Sequence, residues 1–567
     1  MRRTAAALST AAVAAGLLTA AGIGAAQGAE PETCASPATH QIAEVQGTGT
    51  ATPLNGKDVR VEGVVTGDFQ GNDQLKGFFV QDPTPDADPK TSDGLFVYST
   101  KEVGAGDRVL VSGKAIEYKG LTELSPVTAV NVCGKGTAKP AKIKLPLAKG
   151  ASLEAHEGVL ARFGQKLTAT ETYQLGRYGE VTVSAGGRLV QPTEGDGSTQ
   201  AGNNARRLIV DDNSSKQNPE PPPFTDPRVV RIGDTTADLT GVINEGFGAY
   251  RLQPTRTPHF ARTNPRPARP QPVGGEVRVG SFNTLNWFTT LNKRGANTKA
   301  EQERQIAKTV AALKGLDADV VGLMEVENNG DTAIKALVDR LNAAVGAGTY
   351  AWVRHPNPGT DEIHVTAIYK PAKVKPAGPA RSSDAGVFER PPLVQTFERA
   401  AGGGKPFTVI VNHFKSKGCG GASGPEADQG DGQGCWNPRR VTQAKAIADL
   451  AKGEKNALVL GDLNAYSAED PIKALTSAGF RSQTERHVRD DQRYSYVFDG
   501  QSGELDHVLA DRGANGLVTG ATIWHINSDE PTILDYNTEY NPANLYKPDA
   551  FRSSDHDPVL LGLRLSK

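Results

Sequence analysis

The apolar rhythm of this 567-residue chain changes once, near residue 276. Before that point, short runs rich in β-branched and aromatic residues are separated by Gly and Asp turns. Examples are "DVRVEGVVTGDF", "LKGFFVQDP", "GLFVYST", "GDRVLVSGKAIEY" and "AVNVCG". Runs of this length, bounded by turn residues, build strands. After that point, strand-like runs alternate with stretches whose apolar residues recur every three or four positions. "NTKAEQERQIAKTVAALKG" sets Ile306, Val310 and Leu313 on one helical face, with Asn297 or Thr298 as its cap and Gly315 as its stop. "RRVTQAKAIADLAKG" is a second helix, and "SAED" opens a third with a capping-box spacing from Ser467 to Asp470. Between them lie the strands "EVRVGSFN", "DADVVGLMEVEN", "HVTAIYK", "KPFTVIVNHFKSKG", "NALVLGDLNA", "GELDHVLA" and "DPVLLGLRL". Continuous apolar runs such as "NALVLG" indicate sheets covered on both faces.

A chain of this length exceeds one compact core, so the rhythm is read as a domain map. Residues 30–138 are expected to form a small barrel of the oligonucleotide/oligosaccharide-binding type. Its Phe69, Phe78, Phe79, Phe96 and Tyr98 either fill the barrel or offer a face on which bases stack. Residues 139–263 form a second β-rich region without a recognisable catalytic constellation. "NPRPARPQPVGG" (264–275) reads as a linker, and 276–567 as the layered α/β domain. At the N-terminus, Arg2 and Arg3 precede the apolar run "AAALSTAAVAAGLLTAAGIGAA", with small residues around Ala26 to Ala29. Residues 1–29 are therefore read as an export signal, and the mature protein as secreted, without stable membrane association. No other stretch approaches the ~20 apolar residues of a spanning helix.

The four cysteines fit an oxidising compartment. They allow three connectivities, and the domain map favours Cys34–Cys133 and Cys419–Cys435. A bridge closing a loop as short as the second is worth ~3 kcal/mol on the chain-entropy model. The absence of Cys-x-x-Cys and of nearby histidines argues against zinc. The formal net charge of −1 argues against a polyanion-binding surface spread over the whole chain.

Chemically capable side chains gather at the strand ends of the last domain, where loops meet solvent. Asn283 and Glu325 end its first two strands, and His413 ends "TVIVNH". Asp462 and Asn464 follow "ALVLG", Asp506 starts "DHVLA", and Asp555–His556 lead into the final strand. Asp and Ser around His556 would also start an ordinary turn, but eight such positions drawn from Asn, Asp, Glu and His exceed turn chemistry. Glu325, Asn283 and Asp555 offer hard oxygen ligands suited to magnesium, with manganese or calcium as alternatives. His556 beside a carboxylate is a general base held in one tautomer. His413 and Asn464 are donors for phosphate oxygens.

The segments "SFNTLN", "GLMEVEN", "VNHFKSKG", "GDLNA", "LDHVLA" and "SDHDPV" stand in the order found in the endonuclease/exonuclease/phosphatase superfamily, which 276–567 resembles. "FERPPLVQTF" (388–397), "CWNPRR" and "WHINSDEPTILDYN" (524–537) resemble its secreted bacterial nuclease branch, whose members carry a similar barrel upstream. The resemblance implies a four-layered αββα sandwich and a metal-dependent phosphodiesterase acting on extracellular DNA and, as a second polymer, RNA. It implies His556 as the base, Asp506 as its orienting partner, and Asp462 as the group that positions water. Glu325 is then the principal metal ligand, with Asn283 and Asp555 close to the ion, while Asn464 and His413 bind phosphate oxygens. Arg390 matches an arginine that contacts DNA phosphate, with a surface salt bridge as the alternative. Leu285 stands where some relatives carry an acid near the metal, and Asp361 is the acid nearest to a match for one that supports His413. A phosphomonoesterase or sphingomyelinase-like phospholipase keeps the chemistry and changes the substrate. A noncatalytic binding protein built on the barrel is the third class.

Overall fold

Strand direction explains how residues so far apart in sequence reach one rim. In the computed structural model, which describes residues 32–86, 88–226 and 228–566, the layered domain contains two six-stranded sheets. The first runs in the order Ala351–Val353, Ile363–Tyr369, Val320–Glu327, Val277–Trp287, Val559–Leu563, Val518–Ile523. The second runs Val374–Pro376, Leu393–Arg399, Phe407–His413, Ala457–Asp462, Asp506–Ala510, Arg481–Ser482. Val277–Trp287 and Val320–Glu327 are parallel, as are Phe407–His413 and Ala457–Asp462. Val559–Leu563 and Asp506–Ala510 run antiparallel to these pairs. The C-terminal ends of four strands therefore lie beside the N-terminal ends of two others. In the second sheet His413 pairs with Asp462, and Asp462 with Asp506.

The two sheets face each other across Val279, Met324, Val365, Val411, Leu460, Val508 and Leu561, all buried. Helices Lys299–Leu316 and Thr332–Val345 cover the outer face of the first sheet through Ile306, Leu313, Leu337 and Leu341. Asn437–Leu450 and Asp470–Ser477 cover the second through Ala444, Ile447, Ile472 and Leu475. The stacking is helix, sheet, sheet, helix. Thr298 is the N-cap of the first helix: its hydroxyl accepts from Glu301 N while the Glu301 carboxylate accepts from Thr298 N.

Two helix boundaries differ from expectation. The first helix runs through Gly315 and stops at Asp317, whose φ of 49° lies in the left-handed region. Gly315 serves packing, because a Cβ there would collide with the Trp524 ring. The Ser467–Asp470 capping box does not form. Ser467 donates to Glu504 at 3.2 Å, and the helix begins at Asp470 with Pro471 in its first turn.

Upstream, five strands between Asp58 and Lys135 form a closed barrel. Phe69, Phe78, Phe79 and Phe96 are buried, and of the five aromatic residues weighed as a stacking face only Tyr98 is exposed. Phe69, Phe79 and Phe96 pack with Val242 of the next region, so they seal a junction. Residues 141–254 build an eight-stranded sheet. One further strand of this region, Leu189–Val190, pairs in parallel with Gln501–Gly503 of the layered domain. The "NPRPARPQPVGG" segment has no regular structure but is strapped down. Arg266 pairs with Glu530 at 2.6 Å, and Trp524 Nε1 donates to the Pro267 carbonyl at 3.0 Å. Cys34–Cys133 and Cys419–Cys435 are both bonded. The stretch read as an export signal, residues 1–29, lies outside the described residues, and among those described no helix is long and apolar enough to cross a membrane.

Candidate active site

At the rim, both central strands of the first sheet lose their register. The pairing of Val277–Trp287 with Val320–Glu327 slips after Asn283, and the pairing of Val320–Glu327 with Ile363–Tyr369 slips between Leu323 and Val326. Leu285, Asn286 and Glu325 take left-handed backbone angles, with φ of 52°, 52° and 63°. Bulges re-aim side chains at sheet ends, and strain of this kind persists only where the surroundings over-determine it. Here the surroundings are hydrogen bonds to the Glu325 carboxylate. Asn286 N donates to Oε2 at 2.9 Å, and Asn283 Nδ2 donates to Oε1 at 3.2 Å. Leu285 occupies the bulge itself, and its N–H returns to Asn283 Oδ1.

The second sheet brings up its own groups against this carboxylate. Asp462 accepts from Asn464 N at 2.9 Å and from Asn283 Nδ2 at 3.3 Å. His413 Nε2 stands 3.4 Å from Asp462 and 3.9 Å from Glu325. His556 Nδ1 is 2.7 Å from Asp506 Oδ2, and its Nε2 is 3.8 Å from Asp462. The structure thus brings Asn283, Glu325, His413, Asp462, Asp506 and His556 together at one rim, joined by hydrogen bonds and close charge contacts. Asp555 is half-buried beside them. Asp557 faces elsewhere, accepting from Asn527 N at 2.7 Å and bonding the His525 ring at 2.9 Å.

Three supporting residues were not singled out in the sequence, although Asn527 lies within the "WHINSDEPTILDYN" segment. Ser495 donates to Asp506 Oδ2 at 2.7 Å, the Tyr496 ring lies 4.6 Å from the His556 ring, and Asn527 Nδ2 holds the His556 carbonyl at 2.6 Å. Each acts through a contact that only the fold creates.

One expectation is corrected, that Asp361 supports His413, and Arg390 is found in a bracing role. The guanidinium of Arg390 is buried, donating to the carbonyls of His413 and Phe414 and to Asp361 Oδ2 at 3.0 Å. It braces the end of the Phe407–His413 strand, with one N–H of each of its three nitrogens taken by these partners. Asp361 supports that arginine and Arg294, not His413. The Asn464 amide donates to the Phe414 carbonyl at 3.1 Å, which fixes its orientation at the rim.

Burial and charge drive the two histidines apart. Burial, joined by the Arg390 guanidinium, pushes His413 well below its ordinary value, so it is neutral. Burial also opposes charge on His556, but Asp506, Asp462 and Asp555 together outweigh it and raise its proton affinity well above the ordinary. Burial raises Asp462 to about 7 despite His556, and burial followed by Asp555 raises Glu325. Among the described residues, no group of three His, Cys, Asp or Glu side chains converges enough to encage an ion. Glu325 and Asp555 are nevertheless hard oxygen donors, while Asn283 presents its Nδ2 to Glu325 and its Oδ1 to Leu285 N. Such a partial set fits magnesium, which keeps several waters.

The family model described as "Endonuclease/Exonuclease/phosphatase family" matches residues 279–556, and one described as a domain of unknown function (DUF8508) matches 151–264. No curated protein matches the chain. Among solved structures, an endonuclease/exonuclease/phosphatase from Bacteroides vulgatus is 16% identical, with 51% of this chain and 98% of that one covered at a TM-score of 0.34. The human nocturnin catalytic domain is 18% identical, with 52% and 98% covered and a TM-score of 0.33. D. rerio TDP2, solved with a single-strand DNA product, is 14% identical, with 50% and 97% covered and a TM-score of 0.33. Through residues 279–556, the chain belongs to the endonuclease/exonuclease/phosphatase family.

Proposed function

We propose that this protein is a secreted, metal-dependent phosphodiesterase that cuts extracellular DNA, with RNA as a second polymer. The observation that carries the reading is the His556–Asp506 hydrogen bond of 2.7 Å, set against Asp462 and Glu325 at one rim. Asp506, itself held by Ser495, fixes the His556 ring by its Nδ1 and leaves Nε2 turned toward Asp462. From that position Nε2 accepts the proton of an attacking water, which Asp462 aligns. His413, neutral through burial, and Asn464 offer N–H dipoles to the phosphate oxygens. Glu325 and Asp555, with Asn283 beside them, would hold a magnesium ion, with manganese or calcium as alternatives. When bound, the ion supplies charge stabilisation to the phosphate.

Contacts directed at phosphate make such cleavage largely independent of base sequence. Export is supported by the apolar N-terminal run and by two disulfides, which persist in oxidising compartments. The closed five-stranded order upstream supports the reading of residues 30–138 as an oligonucleotide/oligosaccharide-binding type module. Supercoiled plasmid incubated with the protein, with and without magnesium, is expected to be nicked only when metal is present. His556→Ala is expected to lower that rate by about 10³-fold or more. Wild-type protein inert toward plasmid in magnesium, manganese and calcium, yet active on nitrophenyl phosphate or sphingomyelin, overturns the DNA assignment.

A further inference from the structure

A groove of about 560 Å³ lies where the barrel meets the second β-rich region, and no residue of 276–567 lines it. Two hairpin tips form its walls. On the barrel side, Lys119 and Gly120 have φ of 53° and 91°, the left-handed pair that two-residue hairpin turns require. On the other side, Phe247 and Gly248 have φ of 55° and 75°. The tips stand close together: a Cβ at Gly120 would lie 2.8 Å from Glu245 Oε1. The walls are also tied to each other. Leu160 N donates to Gln81 Oε1 at 2.9 Å, Thr122 N to Glu157 Oε1 at 3.0 Å, and Ser215 N to the Asp73 carbonyl at 2.7 Å. The groove is therefore built in advance of any ligand, which limits the entropy lost on binding.

Three features of the lining define the ligand. First, large aromatic side chains remain in solvent there: Tyr98 is 47% exposed, Tyr118 53%, Tyr178 37% and Phe247 92%. Exposed aromatic faces on a fixed groove offer flat apolar area to a ligand that has flat apolar faces of its own. Second, the Asn244 and Gln253 side chains are buried, and their amide oxygens lack any hydrogen-bond partner. Buried acceptors without donors are unfavourable by about 1–3 kcal/mol each until a donor arrives. Third, the charges nearly balance. Lys119, Lys216 and Arg251 face Glu123, Glu180, Asp211 and Glu245, and Arg251 is already engaged by Glu180 at 3.0 Å. Burial raises both Glu123 and Asp211 to about 7, which weakens the acidic side further. Several rings already carry cations from this chain: Lys119 lies over Tyr118, Arg177 over Tyr178 and Arg251 over Phe247.

A balanced lining gives a polyanion no counterion-release advantage, and a lysine or arginine already on one face of a ring repels a further cation while leaving the other face to a neutral ligand. What remains is a neutral molecule with many hydroxyl donors and apolar C–H faces. We propose that this groove between the barrel and the second β-rich region binds a neutral oligosaccharide. Sugar rings would stack on Tyr118 and Tyr178 while their hydroxyls donate to Asn244, Gln253 and the carboxylates. The site is independent of phosphoester hydrolysis at the His556 rim.

Isothermal titration of the full chain with cellotetraose, chitotetraose and maltotetraose tests this, with the oligonucleotide dT10 and spermine as the competing classes. At least one tetrasaccharide is expected to bind with a Kd below about 1 mM. Tyr118→Ala and Tyr178→Ala are expected to weaken that binding about tenfold each, and plasmid cleavage is expected to be unchanged in both. Both positions are solvent-facing, so these variants should fold. The proposal is overturned if none of the three sugars binds at about 10 mM. It is equally overturned if sugar binding survives both substitutions, or if these substitutions abolish dT10 or spermine binding instead.

Discussion

Glu325 joins two unfavourable features, a buried carboxylate and a left-handed φ of 63°, within one hydrogen-bonded cluster. Groups that oppose stability and survive in a packed rim are those from which activity draws. Glu325→Gln removes the charge and keeps the volume. It is expected to raise the urea midpoint of metal-free protein, by about 1 kcal/mol of stability, while plasmid cleavage falls by about 10³-fold. A variant no more stable than wild type would mean that Asn283 and Asn286 fully offset the burial. Glu157 makes a pH prediction at the same scale. Burial raises its carboxyl to about 8, against an ordinary value of 4.5, although Thr122 N donates to it. The folded state thus keeps a proton that the unfolded chain releases. The contribution is fully present below pH 4.5 and is lost as pH rises toward about 8. Glu157→Gln mimics the protonated form, so denaturation curves measured from pH 5 to 8 should flatten by a few kcal/mol at the upper end.

Gly315 shows at the scale of an element how tertiary contact overrides propensity. Gly is about 1 kcal/mol worse than Ala inside a helix, so propensity alone makes Gly315→Ala stabilising. The helix Lys299–Leu316 presses this residue against the Trp524 ring, where a Cβ does not fit. Gly315→Ala is therefore expected to destabilise by about 1–3 kcal/mol, as overpacked cores do. Thermal unfolding decides the sign. The same contact explains why the helix could not be ended correctly from sequence: Gly315 resembles a stop, and its reason for being there lies some 200 residues away on another element. The alternation that defines the strands, by contrast, is local. Val277–Trp287, Phe407–His413 and Ala457–Asp462 all form where the apolar runs place them.

Across the whole molecule, the second β-rich region and the layered domain share a buried ionic seam. Arg231, 1% exposed, donates to Glu530 at 2.7 Å and lies 3.2 Å from Asp529, while Arg188 pairs with Asp529 at 2.7 Å. Asp529 also accepts from Tyr494, whose ring stacks on His525 at 4.0 Å, and His525 bonds Asp557 next to His556. Removing one partner of such a seam leaves unpaired charge in the interior. Arg231→Ala is expected to cost about 3–5 kcal/mol in urea denaturation, and to expose the 264–275 segment to protease. Loss of less than about 1 kcal/mol would show that water reaches the seam and screens it.

The sequence by itself determined the central strands, three of the four covering helices and the chemical identity of the rim, because alternation, spacing and residue type are local properties. It did not mark Thr332–Val345, Leu393–Arg399 or Val518–Ile523. His556, Asp506, Asp462, His413, Asn464, Glu325 and Asn283 could be selected as a set before any contact was known. Only the tertiary structure decided how each donor and acceptor is used. It gave Arg390 to backbone carbonyls, Asp361 to that arginine, and Ser495 to Asp506. Hydrogen-bond partners are settled by which groups packing brings within about 3 Å, and packing joins residues whose separation along the chain carries no trace of the contact.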